Sequence, residues 1–303
     1  MSLIELLAGS PALYTGACLL LGLIVGSFLN VVIHRLPIMM ERQWREQCAE
    51  LQAGEAAAGT AASGKPAERY TLIAPRSACP ACHAPIGALQ NIPILSYLFL
   101  RGRCARCGAR ISLRYPLVEA LTGLLSALVA WKLGFGWPSL AALALTWFLV
   151  ALAGIDIGHQ LLPDSLTLPL MWMGLLLSLF APGPGGAPIP VDPRASLIGA
   201  AAGYASLWSV YHLFRALTAR EGMGYGDFKL LAALGAWLGW RMLLPVVLIA
   251  AAVGAVTGIV LIGVRGRSHA APIAFGPFLA AAGWLMLMFG HQLVSGYLGL
   301  FTR

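Results

Sequence analysis

Apolar residues in this chain fall in long blocks rather than in strict alternation. Eight blocks stand out: Ala12–Ile33, Pro116–Leu133, Ser139–Ile157, Leu166–Phe180, Ala195–Leu217, Phe228–Trp240, Leu243–Val264 and Ile273–Leu300. A helix rises 1.5 Å per residue, so about 20 apolar residues cross about 30 Å of hydrocarbon. The pattern therefore predicts an all-α polytopic membrane protein with about eight transmembrane helices. Phe228–Trp240 is short for a span, and is expected to be partly re-entrant or extended by its flanks. Ala12–Ile33 reads as a retained span and not a signal peptide: no Lys or Arg precedes it, the run is too long, and Arg35 follows it. His34 to Tyr115 is the long polar segment. Its middle, near Ala49–Ala67, is rich in Ala, Gly and Glu and reads as a mobile insertion. The Pro/Gly-rich stretch Ala181–Pro193 reads as an exposed loop. The domain organisation that follows is a first transmembrane helix (1–33), a loop domain (34–115) and a seven-helix membrane core (116–303).

Composition supports the membrane class. The chain of 303 residues is 59% hydrophobic and 11% charged, against about 25% charged in soluble domains, so one large soluble core is excluded. The net charge of +8 raises nucleic acid as a partner. The basic residues form no stripe interleaved with aromatics, so no nucleic-acid partner is expected. They sort by topology instead. With the 34–115 loop in the cytoplasm, 16 of the 20 Lys and Arg lie inside, leaving Lys132, Arg194, Arg241 and Arg303 outside. The positive-inside rule then places the N-terminus in the periplasm.

Two CxxC knuckles, Cys79-Pro-Ala-Cys82 and Cys104-Ala-Arg-Cys107, lie in that loop, each followed by a small or polar turn. Thiolates at this spacing converge on one tetrahedral Zn²⁺, and four of them leave no open position, so the zinc is expected to be structural in a zinc-ribbon-like loop domain. A reducing cytoplasm disfavours the alternatives of two disulfides or four unrelated thiols. His83 reads as a solvent or neighbouring residue, and Cys18 and Cys48 have no partner at metal spacing.

Of the four Asp residues, Asp192 falls in the outer Pro-rich loop and reads as solvated. Asp156, Asp164 and Asp227 fall at the cytoplasmic ends of spans, where an ionisable group is costly and is by default a functional candidate. Asp164, in Leu162-Pro163-Asp164-Ser165, has a helix N-cap as its simplest role. Asp227 sits in Gly222-Met-Gly224-Tyr-Gly226-Asp-Phe-Lys229. Its glycines permit close backbone approach, and a helix start favours a carboxylate. Irregular backbone at membrane depth survives only where protein or a watery cavity satisfies it. Together these describe a wet pocket with an acid at its edge. Asp156 and Asp227 on different helices can share one proton and one water as an aspartyl dyad. A proton relay and two separate structural acids stay open beside that reading. Glu119, one turn into the second span, either pairs with Arg114 or Arg103 or faces the cavity. His159 reads as an interfacial polar residue.

Several segments together resemble the bacterial type IV prepilin peptidases, a family of GxGD-type membrane aspartyl proteases. They are Gly26-Ser-Phe-Leu-Asn-Val-Val-Ile-His-Arg-Leu-Pro37, the paired CxxC knuckles, Asn91-Ile92-Pro93, Arg114-Tyr-Pro-Leu-Val-Glu119, the Asp156–Asp164 stretch and Gly222–Lys229. They run over nearly the whole chain in the family's order. The resemblance implies a bifunctional enzyme of the bacterial inner membrane. It would cleave the basic leader from prepilins and pseudopilins after a glycine at the cytoplasmic face, then methylate the new N-terminus with S-adenosylmethionine. By motif, the catalytic aspartates are Asp156 and Asp227, with Gly224, Gly226, Asp164 and Lys229 supporting, and the cytoplasmic cysteines are Cys79, Cys82, Cys104 and Cys107. The glycine associated with methyl transfer falls on Gly102. The residues alone show no GxGxxG after a strand, so the methyl donor rests on the resemblance. Two other classes compete: a proton-coupled transporter using Asp156 and Asp227 as a relay, and a non-catalytic assembly scaffold docking through the cysteine loop. The transporter leaves that loop unexplained and shows no inverted repeat.

Overall fold

The computed structural model describes residues 2–56, 70–79, 81–87, 93–180, 189, 191–219, 222–265 and 274–301. The described chain is helical, with only isolated bridges and no strand. Its helices are α1 (Leu3–Gly9), α2 (Pro11–Ala56), α3 (Leu95–Phe99), α4 (Arg114–Leu133), α5 (Trp137–His159), α6 (Asp164–Phe180), α7 (Pro193–Thr218), α8 (Tyr225–Leu238), α9 (Leu243–Arg265) and α10 (Gly276–Phe301). Each of the eight apolar blocks thus carries a helix. Five helices among the described residues are long and apolar enough to cross a membrane: Pro11–Gln52, Arg114–Leu133, Trp137–His159, Trp240–Leu261 and Gly276–Gly296. The helix of the fourth block, α6, is apolar but shorter, at 17 residues.

The largest departure from expectation is α2. It does not stop near Ile33 but continues through Pro37 into the polar segment as far as Ala56, 46 residues in all. Beyond Pro37 come Met39, Met40, Glu41, Arg42, Gln43 and Arg45, all straight-chain side chains that lose little freedom in a helix. A proline removes one backbone bond, and the strong formers on its C-terminal side carry the helix past it. The stretch 49–56, expected to be mobile, is therefore helical; 57–67 lies outside the described residues, as does most of the Ala181–Pro193 loop.

By packing, the chain divides into two compact units, Leu23–Leu121 on one hand and Met1–Gly22 with Thr122–Arg303 on the other. The second unit is organised around α8. Every residue of α8 from Phe228 to Leu238 is buried except Lys229, so this helix meets neighbours all round. Spanning about 21 Å at 1.5 Å per residue, it is too short to cross a bilayer alone. Surrounding helices provide its environment instead, and glycine is the means of contact. A Cβ on Gly199 of α7 would strike the carbonyl oxygen of Gly235, and one on Gly235 would strike that of Gly199. A Cβ on Gly203 would meet the Leu231 carbonyl oxygen at 2.6 Å. Gly199 and Gly203 form a small-xxx-small pair, the spacing that lets two membrane helices touch backbone to backbone. Ser196 adds a hydrogen bond from its hydroxyl to the Ala236 carbonyl at 2.6 Å.

On the α6 side, Gly174 makes room for the Trp237 indole, whose N–H donates to the Leu170 carbonyl at 2.8 Å. Gly283 of α10 sits against Leu234. Asp192 is exposed, as expected, and takes an added role: its carboxylate accepts the N–H groups of Arg194 and Ala195 and caps α7, with Pro193 at the first helical position.

The α7–α8 contact predicts a clear stability difference. Gly235→Ala places a methyl group inside the Gly199 backbone and costs about 1–3 kcal/mol or more, as overpacking does. Gly263→Ala, where a Cβ meets nothing within 4 Å, does not lower stability. Thermal unfolding midpoints in one detergent check both.

Candidate active site

Asp156 lies in the last turn of α5. The helix ends three residues later, where Gln160 turns left-handed and donates its N–H to the Asp156 carbonyl at 2.9 Å. The short connection Leu161-Leu162-Pro163 then leads directly into α6. The Asp156 side chain is 5% exposed, and its Oδ2 accepts the backbone N–H of Gly276 at 3.0 Å. Gly276 is the first residue of α10, and the opening N–H groups of a helix have no partner within it. The helix start thus supplies Asp156 with a donor and with the positive end of a dipole. Only glycine fits there, because a Cβ at 276 would lie 2.6 Å from Asp156 Oδ2.

Asp227 lies in the first turn of α8, after the extended Gly224 that precedes the helix. Its backbone N–H donates to the Gly224 carbonyl at 3.2 Å. The side chain is 6% exposed, and Oδ1 is buried with no hydrogen-bond partner. Asp156 and Asp227, 71 positions apart in sequence, are within electrostatic reach of each other. Leu162 ties the two neighbourhoods together: its Cδ1 would lie 3.1 Å from a Cβ at Gly276 and 3.4 Å from one at Gly226. The glycine before Asp227 and the glycine bonded to Asp156 therefore face one leucine. A buried carboxylate oxygen lacking a donor is costly, and beside a second carboxylate it fits a shared proton or a water molecule.

Asp164 is not the expected N-cap. It is the first residue of α6, and the Pro163 carbonyl before it receives the N–H groups of Leu166 and Thr167. The Asp164 carboxylate is engaged by Lys229, whose Nζ donates to both oxygens at 2.6 Å. This pair joins the start of α6 to the first turns of α8. Gly226 is the position where Leu162 approaches, whereas Gly224 has only the Asp227 carboxylate nearby. Gly276 and Leu162 had no place among the sequence candidates. Gly276-Pro277 carried a usable signal, since proline favours the first turn of a helix; Leu162, one apolar residue in a short connection, carried none.

In the other unit the four cysteines assemble. Cys79, Cys82, Cys104 and Cys107 place their sulfurs within 4.8 Å of one another, with Cys79 Sγ and Cys107 Sγ 3.8 Å apart. A tetrahedron of thiolates about 2.3 Å from a zinc ion has edges of about 3.8 Å, so the sulfurs fit such an ion. The two knuckles have the same backbone plan. Cys79 N–H donates to Ala84 and Cys104 N–H to Ala109, while His83 N–H returns to Cys79 and Gly108 N–H to Cys104. Bridges join Ala78 to Pro85 and Arg103 to Arg110. His83 takes the left-handed position that Gly108 takes in the second knuckle, with φ of +54° and +70°; it is a turn residue. The N–H groups of Cys107 and then Arg106 stabilise the Cys104 thiolate and bring its pKa down to about 6, and those of Cys82 and Ala81 lower Cys79. Thiolate is the form that binds metal.

Gly102 precedes the second knuckle in a left-handed conformation, φ +67°, with its N–H bonded to the Tyr97 carbonyl at 2.9 Å. A Cβ there would lie 2.6 Å from Tyr97 Oη, so the fold itself requires glycine. Glu119 pairs with neither Arg114 nor Arg103: it is buried and accepts the Ile94 N–H at 2.8 Å.

Comparison with known proteins accounts for both units. The family model described as the bacterial peptidase A24 N-terminal domain matches residues 20–133, and the type IV leader peptidase family matches 143–259. No solved structure matches. The full-length relatives that the chain resembles carry the name prepilin leader peptidase/N-methyltransferase. That of Aeromonas salmonicida is 53% identical over 296 residues, that of Stutzerimonas stutzeri 50% over 299, and that of Pseudomonas aeruginosa 49% over 298. Each alignment covers 98% of both chains. With full-length relatives at half identity and both family models in order along the sequence, the chain belongs to the prepilin leader peptidase/N-methyltransferase family, peptidase family A24.

Proposed function

We propose that this chain is a bifunctional enzyme of the bacterial inner membrane. It cleaves the basic leader from type IV prepilins and pseudopilins and then methylates the new N-terminal amine. The observation that carries the peptidase half is that Asp156 and Asp227 are both buried and within electrostatic reach of each other, with Asp227 Oδ1 buried and without a hydrogen-bond partner. Two like charges within mutual reach in a buried setting do not both persist, so the pair holds one proton between them. The ionised member takes a proton from the attacking water. The protonated member donates to the peptide carbonyl, and the tetrahedral adduct collapses with a proton passing to the leaving amine. The Gly276 N–H fixes the Asp156 carboxylate, and Lys229 with Asp164 holds the α6 start against α8. Gly224, with only the Asp227 carboxylate beside it, leaves room at the Asp227 edge for an extended substrate segment, while Leu162 fills the space over Gly226.

Topology agrees with this substrate. The cytoplasmic placement of the 34–115 loop puts both aspartates on the cytoplasmic side, where a basic leader remains, and the N-terminus in the periplasm. Eight helices then cross or enter the bilayer, α6, α7 and α8 completing the five that are apolar and long enough alone. A proton-coupled transporter is not favoured, because whole-length relatives are named as peptidases and methyltransferases.

The four cysteines would hold a structural zinc ion in a ribbon-like domain, and four thiolates leave it no position for substrate. For methylation, S-adenosylmethionine supplies a methyl group activated on a sulfonium. Gly102 belongs to this half by resemblance, and its contact with Tyr97 gives it a positioning role near the second knuckle.

Three outcomes test the reading. Asp156→Asn and Asp227→Asn each lower leader cleavage at least about 100-fold, the span of lost acid–base catalysis, in a protein that still inserts and unfolds cooperatively; a variant that cleaves normally removes its residue from the pair. Gly276→Ala, which drives a methyl group onto Asp156 Oδ2, lowers kcat for cleavage at least about tenfold by misplacing the carboxylate. Elemental analysis of purified protein returns one zinc per chain, and Cys104→Ser lowers it.

A further inference from the structure

Three of the sequence motifs that carry the family resemblance contain neither aspartate nor any cysteine. They are Gly26–Pro37, Asn91–Pro93 and Arg114–Glu119. Within the unit Leu23–Leu121 their described residues meet along one seam. Asn30 of α2 donates its side-chain amide to the Tyr115 carbonyl at 3.0 Å. One turn earlier on α2, the Ser27 side chain lies within interaction reach of the Glu119 carboxylate, and Glu119 stands one turn beyond Tyr115 on α4. Glu119 Oε2 also receives the N–H of Ile94, directly after Pro93, at 2.8 Å. Ile94 is held at φ +58°, a conformation that a β-branched residue rarely tolerates and that tends to mark binding sites.

The seam has an excess of acceptors. Asn30 is 4% exposed, and its Oδ1 is buried without a hydrogen-bond partner. Glu119 is 9% exposed, and among the described residues no Lys, Arg or His lies within ion-pair distance of it. The nearby buried cation, Arg35, is committed elsewhere: it donates to the carbonyls of Thr71, Leu72 and Pro75. A buried carboxylate without a cation and a buried amide oxygen without a donor both carry a desolvation cost. One group relieves both: a cation with several N–H donors. The helical spacing of Ser27 to Asn30 and of Tyr115 to Glu119 places the two acceptors about one turn apart, about 5 Å, which a single ammonium spans.

We infer that Asn30, Ser27 and Glu119 form a binding site for a primary ammonium group. The inference rests on the N-methylation reading above, which brings two such groups to the protein: the new N-terminal amine of the cleaved substrate and the α-ammonium of the methyl donor. Glu119 neutralises the charge, Asn30 Oδ1 accepts one N–H, and the Ile94 contact fixes the Glu119 rotamer.

The test is binding to full-length protein in detergent, by calorimetry, with two probes. One is S-adenosylhomocysteine, which carries the α-ammonium. The other is a synthetic peptide with the mature pilin N-terminus, compared free and N-acetylated. Glu119→Gln, nearly isosteric, and Asn30→Leu are each expected to weaken one probe at least tenfold. Loss confined to S-adenosylhomocysteine assigns the site to the donor; loss confined to the free-amine peptide assigns it to the acceptor amine. Unfolding midpoints are read alongside, and Ser27→Ala replaces any variant that fails to fold. Wild-type binding of neither probe, or unchanged binding of both in the variants, overturns the site. Wild-type protein that neither cleaves leaders nor transfers methyl groups instead overturns the functional reading on which it rests.

Discussion

Backbone-to-backbone contact between α7 and α8 is the constraint from which the membrane unit follows. A helix that carries an acid into an apolar unit has to be wrapped by protein, and a wrap without gaps requires that neighbours approach more closely than side chains allow. Gly199, Gly203 and Gly235 remove the obstacle, and Ser196 adds a polar tether where the backbones touch. Trp237 on Gly174 and Leu234 against Gly283 close the other sides. The helix so enclosed presents Asp227 at its first turn, where protein and not lipid defines the surroundings.

The same logic places Asp156. Its carboxylate rests on an N–H that α10 cannot use internally, at a residue where any side chain would collide with it. Both acids are thus attached to helix starts, one by its own helix and one by another's, and Leu162 lies where the two starts converge. The fold does not bring together two flexible side chains; it brings together two helix ends whose loose donors and absent Cβ atoms define where the carboxylates stand.

Much of this was legible in the sequence. The eight apolar blocks correspond to eight helices because lipid and buried cores select the same residues over the same lengths. The cysteine cluster was legible because CxxC spacing is a local property of one turn. Asp156 and Asp227 stood out because carboxylates are rare among apolar runs. What escaped detection was of another kind. The extension of α2 past Pro37 was hidden by a proline whose single lost bond the following Met, Glu, Arg and Gln residues outweigh. The capping role of the exposed Asp192 went unread although Asp-Pro is a helix-start signature. Gly276 and Leu162 act through contacts between distant segments, and no periodicity encodes such contacts. For Glu119 the sequence left an arginine partner and a cavity-facing role both open, and it did not indicate the bond from Ile94 N–H, which comes from a distant turn.

The duplicated knuckles have a consequence for the order of biosynthesis. Each hairpin provides two sulfurs on an identical hydrogen-bonded turn, and neither alone can complete a four-sulfur shell. As the chain leaves the ribosome the first hairpin therefore presents two sulfurs alone, while its own amides already favour the thiolate of Cys79. The four-sulfur cluster exists only once the Cys104 hairpin has emerged, so it is a property of the finished loop, timed by the intervening stretch that includes α3 and Gly102.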